Sequence, residues 1–193
     1  MTISFPTGKF SVIYADPPWQ FRSWSDKGRN RCPDALVRQK GLAERHYKVM
    51  SLDDIKALPV GSIAAEDSAL FLWTVDCHLP EALEVGETWG FRFKTTSFTW
   101  CKTTQSGGWH IGLGYWTRGN PEQCLLFTRG APRHRSAAVR QAVIVAQRGR
   151  HSVKPVEAYE RIEALLPGPY LELFARHRRP GWTCWGDQLE DAA

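Results

Sequence analysis

The sequence predicts an α/β domain of three layers built on a largely parallel sheet. Three observations predict it. Short apolar, β-prone runs alternate along the chain with helical patterns. The first of these runs ends in two consecutive prolines, which carry no backbone donor and force the chain out of a sheet. The 193 residues, 42% hydrophobic and 23% charged, suit one globular unit with a sizeable core, here residues 1–193.

The first strand is Phe10-Ser11-Val12-Ile13-Tyr14-Ala15, apolar and rich in β-formers. It runs directly into Asp16-Pro17-Pro18-Trp19. In an open α/β sheet ligands bind beyond the carboxyl ends of the strands, so local context alone places Asp16 at a site. Gln20 to Tyr47 is polar and interrupted by Gly28, Pro33 and Gly41. A loop of that length is usually functional or disordered. Ser51 then caps a short helix with Asp53 and Asp54 in its first turn.

Ala69 to Thr74 reads as a buried strand, and Leu79 to Trp89 as a helix stopped by Gly90. Phe93 to Lys102 is a strand of threonines and aromatics. Thr103 to Asn120 is a second glycine-rich loop, carrying Trp109, His110, Tyr115 and Trp116. Gln123–Thr128 and Val143–Ala146 are further strands. Lys154 to Leu166 is an amphipathic helix with Val156, Tyr159, Ile162 and Leu165/Leu166 on its apolar stripe. Pro155 suits a helix start but does not explain the lysine before it. Tyr170–Ala175 and Trp182–Trp185 complete the sheet.

Composition narrows the function classes. The five cysteines, Cys32, Cys77, Cys101, Cys124 and Cys184, form no CxxC pair, so reduced thiols are expected and no metal site. There is no Walker A sequence and no GxGxxG, which disfavours an NTPase or a standard dinucleotide fold. No apolar run is long enough for a bilayer and no signal pattern opens the chain, so no membrane association and a cytoplasmic location are expected. The net charge of +5 favours a polyanionic partner. No Asp or Glu occurs from Cys124 to Val156, where Arg129, Arg133, Arg135, Arg140, Arg148, Arg150 and Lys154 stand. Nine tryptophans are available for a core or for stacking on bases.

Asp16-Pro17-Pro18-Trp19 after an apolar strand resembles the DPPW signature of the MTA-type adenine methyltransferases, a family that includes the eukaryotic messenger-RNA adenosine writer and bacterial and phage enzymes. The resemblance covers nearly the whole chain. Tyr47 before the Ser-capped helix, Phe71-Leu72-Trp73, Trp100-x-Lys102, Glu122-Gln123-Cys124-Leu125, His151-Ser152-Val153-Lys154-Pro155, Leu171 to Arg176 and Gly186-Asp187-Gln188 recur in the same order.

The resemblance implies a Rossmann-like class I methyltransferase fold, permuted so that the catalytic strand precedes the cofactor-binding strand. It also implies S-adenosylmethionine as cofactor. Carried over by position, the cofactor's contacts are Ala15, Asp16, Lys154, Glu172, Phe174, Arg176, Arg178, Arg179, Asp187 and Gln188. Lys154 would hold its carboxylate, Asp16 its amino group, Arg176 and the residues after it the ribose, and Asp187 and Gln188 the ribose and adenine. Around the target base the resemblance places Tyr47, Trp73, Trp100, Lys102 and Glu122. Arg133 and Arg135 are expected on phosphates. Two departures stand out: His177-Arg178-Arg179 replaces a frequent His-Asn pair, and Asp187 stands where the eukaryotic writer has Asn.

The implied chemistry suits these residue types. An aromatic amine is a poor nucleophile because its lone pair is delocalised into the ring. Acceptors must hold both N–H groups while the base is kept in line with the methyl donor. Asp16 supplies one acceptor, and the carbonyl between Pro17 and Pro18 supplies another at a fixed angle. Trp19 is expected to offer a stacking face worth roughly 1–3 kcal/mol. The partner expected is nucleic acid, with DNA favoured over RNA because the architecture is compact and no RNA-binding module is apparent. A monomer or homodimer is expected, and a heteromeric partner is left open. RNA adenine, the amino group of cytosine, and a non-catalytic nucleic-acid-binding subunit are the competing readings. Trp73 and Trp100 lie on strands, where core packing competes with contact to a base.

Overall fold

The structure, a computed structural model, describes residues 4–20, 49–112, 116–136, 138, 141–149 and 153–189. The expectations for Tyr47 and for nearly all of the loop from Gln20 to Tyr47 lie outside the described residues.

Strand β1 (Phe10–Ala15) is apolar at almost every position and buried on both faces, as a central strand of a parallel sheet must be. It lies between β2 (Ala64–Thr74) and β6 (Tyr170–Leu173), parallel to both. With β3 (Arg92–Thr103), β4 (Glu122–Arg129), β5 (Val143–Gln147) and β7 (Trp182–Trp185), the seven strands run in the order β5-β3-β4-β2-β1-β6-β7. Only β4 runs against its neighbours. Its first residue, Glu122, therefore sits at the end of the sheet where the other strands finish, opposite Trp100.

The pleat divides the core in two. Ile13, Leu70, Leu72, Leu125 and Phe127 face one side. There they meet Ile55 of α1 (Leu52–Lys56), Val60 of α2 (Val60–Ile63) and Ala82 and Val85 of α3 (Leu79–Thr88). Val12, Tyr14, Phe71, Trp73 and Trp100 face the other side, covered by Ala158 and Ile162 of α4 (Val156–Leu165). Helices on both faces of a mostly parallel sheet give the three layers the sequence predicts.

The expected stops are present. The Ser51 hydroxyl accepts from Asp54 N at 3.1 Å, and Gly90, with φ at +88°, ends α3 in the left-handed region that glycine adopts without strain. Three details differ from expectation. β2 starts at Ala64, five residues early, straight out of α2, because the exposed Glu66 and Asp67 interrupt its apolar pattern. The four-residue α2 has no periodicity to announce it. Val156 is not on the buried stripe of α4: it is 52% exposed, while Ala158, Ile162 and Leu166 are buried. Pro155 caps the helix, so Val156 begins it at the edge of a cleft. No helix among the described residues is long and apolar enough to cross a membrane.

Candidate active site

β1 delivers Asp16 to the carboxyl end of the sheet, and the next three residues fix it there. The Trp19 N–H donates to the Pro17 carbonyl at 2.8 Å, and Met50 N–H donates to the Pro18 carbonyl at 3.1 Å. The Trp19 indole N–H donates to the Trp73 carbonyl at 3.2 Å, at the end of β2. Its ring stacks on His78 with centroids 5.8 Å apart and planes 19° apart. Trp19 is only 6% exposed. The open stacking face expected of it is thus a buried anchor, which clamps the Asp-Pro-Pro turn to β2. The Pro17 oxygen already accepts one bond, and its second lone pair remains for another donor.

Four charged side chains, drawn from four parts of the chain, meet around Asp16. Lys154 Nζ is 2.6 Å from Asp16 Oδ2 and 3.1 Å from Glu122 Oε2. Lys102 Nζ is 2.6 Å from Glu122 Oε1. Two cations and two carboxylates cancel, which is how such a group can be buried. Asp16 is the most open member, its side chain 25% exposed against 6% for Lys154, 8% for Glu122 and 13% for Lys102. Burial by itself would raise the Glu122 carboxyl, but the two lysines outweigh it and hold the group at about 2. Burial would likewise lower Lys154, yet Asp16 and Glu122 keep its ammonium above the usual range. Lys154 has three N–H groups, and two of them point at these carboxylates.

Trp73 and Trp100 lie beneath the lysines. Lys154 Nζ sits 5.5 Å from the Trp73 ring centroid, and Lys102 Nζ 5.4 Å from that of Trp100. The two indoles meet edge to face at 6.5 Å, and both are fully buried. Neither presents the face to a base that their inclusion among substrate contacts implies. They are an apolar floor, because alternate positions of β2 and β3 point into the layer under α4.

A cleft of roughly 280 Å³ opens beside Asp16. Lys154, Glu172, Phe174, Arg176, Arg178 and Arg179 line it with Asp16, as the resemblance implies. Val153, Val156 and Tyr159 join them, three residues the sequence reading did not assign to a site. Val156 carries a signal in hindsight, an apolar residue at the first position of a helix; Tyr159 carries none. Glu172 is 9% exposed and accepts from Tyr159 Oη at 2.8 Å. Burial raises its carboxyl to about 7, and the charge of Asp16 adds to the rise against the opposing Tyr159 bond and the Arg179 and Lys154 charges. Arg179 is anchored by Glu163 at 2.9 Å and lies 4.7 Å from the Tyr159 ring.

Backbone geometry builds the cleft's rim. Phe174 has φ at +63°, an uncommon left-handed conformation that turns the chain sharply after β6. Ala175 N–H then donates to the Trp185 carbonyl at 2.9 Å. A Cβ on Gly186 would fall 2.2 Å from the Ala175 oxygen, so only glycine fits there. This contact brings the Leu171–Arg176 and Gly186–Gln188 segments side by side. Asp187 is exposed and Gln188 half-buried at that edge, beyond the cleft lining, and Ala15 is buried between Leu72 and Leu173.

Arg133 and Arg135 are not at the site. β4 descends away from it, and eight residues at about 3.3 Å each put its far end roughly 26 Å off. Arg135 N–H donates to the Leu165 carbonyl at the distal end of α4. Arg148 instead sits near the site, its N–H donating to the Thr103 carbonyl at 3.0 Å.

A mostly parallel sheet covered on both faces, with its charged groups gathered at the carboxyl ends of β1, β2 and β3, defines a Rossmann-like methyltransferase fold. β1 and its Asp16 turn precede β6, which walls the cleft, in the permuted order the resemblance implies. The chain belongs to the MT-A70 family, whose model matches residues 10–188. It is 32% identical to the type II methyltransferase M.MunI of Mycoplasma, over 96% of this chain and 80% of that protein. It is 31% identical to the N(6)-adenosine-methyltransferase MT-A70-like protein of Drosophila melanogaster, over 95% of this chain and 27% of that protein. It is 29% identical to the human N(6)-adenosine-methyltransferase catalytic subunit METTL3, over 95% of this chain and 29% of that protein. The chain thus spans less than a third of these two eukaryotic relatives.

Proposed function

We propose that this MT-A70 methyltransferase transfers a methyl group from S-adenosylmethionine to the exocyclic N6 of adenine in DNA. The observation that carries the reading is the position of Asp16: a partly open carboxylate at a strand end, fixed by a buried lysine on one oxygen and bordered by the cleft. Oδ2 is engaged by Lys154, which leaves Oδ1 to accept one amino N–H of the base. The second lone pair of the Pro17 carbonyl oxygen is the companion acceptor.

The cleft suits the cofactor. Lys154 has one N–H left for a carboxylate, Asp16 and Glu172 are acceptors for an ammonium or for hydroxyls, and Val153, Val156 and Phe174 supply apolar contact. When bound, S-adenosylmethionine supplies a methyl carbon on a cationic sulfur. Asp16 holds the amino nitrogen while the N–C bond forms and the S–C bond breaks. The proton the nitrogen then sheds passes to the Asp16 carboxylate and on to water. Lys154 and Glu122 keep Asp16 from turning away during transfer, a positioning effect.

DNA is favoured because M.MunI, a relative matched over 80% of its own length, is a type II methyltransferase. An adenine in a duplex must leave the stack to reach Asp16. Labelled methyl transfer to oligonucleotides carrying adenine but no cytosine, or cytosine but no adenine, in DNA and RNA forms, tests the reading. N6-methyldeoxyadenosine from the adenine-bearing DNA is the expected product. Label confined to cytosine or to RNA would overturn it.

A further inference from the structure

After β3 the chain turns through Thr104–Gly108 and comes back along its own strand. Thr103 and Trp109 pair across an isolated bridge, and His110 N–H donates to the Lys102 carbonyl at 3.0 Å. Asn120 closes the loop. Its Oδ1 accepts from Lys102 N at 2.8 Å, and its Nδ2 donates to the Lys102 carbonyl at 2.8 Å and to the His110 carbonyl at 2.6 Å. Gly112 N–H donates to the Gly119 carbonyl at 2.8 Å. These bonds tie the loop's two ends to Lys102, whose ammonium belongs to the charged cluster around Asp16.

On this tethered frame stand three large side chains that the fold does not bury. Trp109 is 64% exposed, Ile111 73% and Trp116 93%. Three such residues on one loop are an unusual expense of apolar surface, and exposed apolar side chains gathered on one segment mark interaction sites. The charge around them selects the partner. Between Lys102 and Glu122 the sequence has no Asp or Glu. Arg118 on the loop and Arg148 at the end of β5 are exposed. Exposed indoles flanked by these two guanidinium groups suit a stacked polyanion.

We propose that Trp109, Ile111 and Trp116 form a wedge that enters the base stack beside the target adenine and fills the space it vacates, with Arg118 and Arg148 on the flanking phosphates. The wedge rests on the reading of the chain as a nucleic-acid methyltransferase. Apolar side chains inserted between base steps offset the cost of unstacking, which is largest for a paired base. The wedge therefore matters for a duplex, where the adenine must be extruded, and little for a strand already unpaired.

The test uses the full chain and the triple variant Trp109→Ala, Ile111→Ala, Trp116→Ala, with Trp116→Ala alone as a milder form. Methylation is compared on unmethylated genomic DNA and on the same DNA after denaturation. The triple variant is expected to lose about tenfold more kcat/KM on the duplex than on the denatured DNA, because only the duplex must be unstacked and unpaired to release the adenine. Equal losses on both forms would overturn the wedge.

Binding supplies a readout independent of turnover. By fluorescence anisotropy the wild-type chain should prefer a duplex containing one abasic site over the intact duplex, and the triple variant should lose that preference. If no DNA is methylated by the wild type, the methyltransferase reading fails, yet the abasic preference still decides the wedge. A change of sedimenting mass in the variants with no change in DNA affinity would assign the three side chains to a protein contact instead, and would also overturn it.

Discussion

Lys154 Nζ lies 2.6 Å from Asp16 Oδ2, an ion pair that joins residues 138 positions apart in the chain. It brings the turn after β1 against the residue just ahead of the Pro155 cap of α4. Glu122 completes it from the antiparallel strand, 3.1 Å from the same ammonium.

Asp16→Ala removes the acceptor nearest the amine while leaving Lys154 paired with Glu122. Because the Asp16 side chain is 25% exposed, the fold is expected to survive. Methyl transfer should fall by about 10²–10³-fold or more, the scale of losing one preorganised hydrogen-bonding partner. Thermal unfolding alongside the transfer assay checks both parts, and residual activity within tenfold of wild type would exclude Asp16 as the amine's acceptor.

Glu122→Gln leaves Lys154 with Asp16 as its carboxylate and takes away the carboxylate that Lys102 pairs with. Removing one member of a buried charged group costs about 3–5 kcal/mol. Urea unfolding should show a loss of unfolding free energy of that size, read as a lowered midpoint at unchanged slope, and the Lys154 ammonium should lose part of its elevated affinity for protons. A midpoint unchanged from wild type would mean that water reaches the cluster.

Two carboxylates give stability opposite pH dependences. Glu122, held at about 2, stabilises the fold above the ordinary carboxylate range, and that contribution disappears as pH falls toward 2. Glu172 has a folded value raised to about 7, so the native state holds a proton the unfolded chain has released. Stability must then decline as pH rises from the carboxylate range through about 7, by at most about 1.4 kcal/mol per pH unit. Glu172→Gln should abolish that decline and be more stable than wild type at pH 8. Parallel stability curves for the two proteins from pH 5 to pH 8 would refute it.

The placement of the arginines predicts a contrast in salt dependence. Arg148→Ala should reduce the slope of log affinity against log salt by about 0.9, the value for one lost phosphate contact. Arg133→Ala with Arg135→Ala, at the opposite end of β4, should leave the slope as it is. Titrations at several salt concentrations measure both, and the reverse pattern would place the nucleic acid on the other end of the sheet.

Much of the fold was legible in the sequence because its signals are local. The alternation and length of the apolar runs mark all seven strands among the described residues, and Ser51 and Gly90 mark helix ends by their own backbone chemistry. What escaped was short or masked: α2 is four residues long, and charged residues at 66 and 67 hide the start of β2. At the candidate site, Asp16, Lys154 and Glu172, which the motifs single out, line one cleft. Trp19, Trp73 and Trp100 lie beside the charged cluster as buried side chains; indoles suit a core and a stacking face equally, and nothing in a sequence separates the two. Tyr159, read as part of a core stripe, proved to line the cleft and to hold Glu172.

The sequence by itself determined where the chain leaves the sheet, since two prolines cannot pair, and which residue type stands there to meet a donor. Only the tertiary structure decided which charges that residue meets. The direction of β4 is the reason. Running against its neighbours, it lifts Glu122 into contact with Lys102 and Lys154 and carries Arg133 and Arg135 to the far end. Strand direction is fixed by packing and connection across the whole sheet, and no local pattern of residues records it.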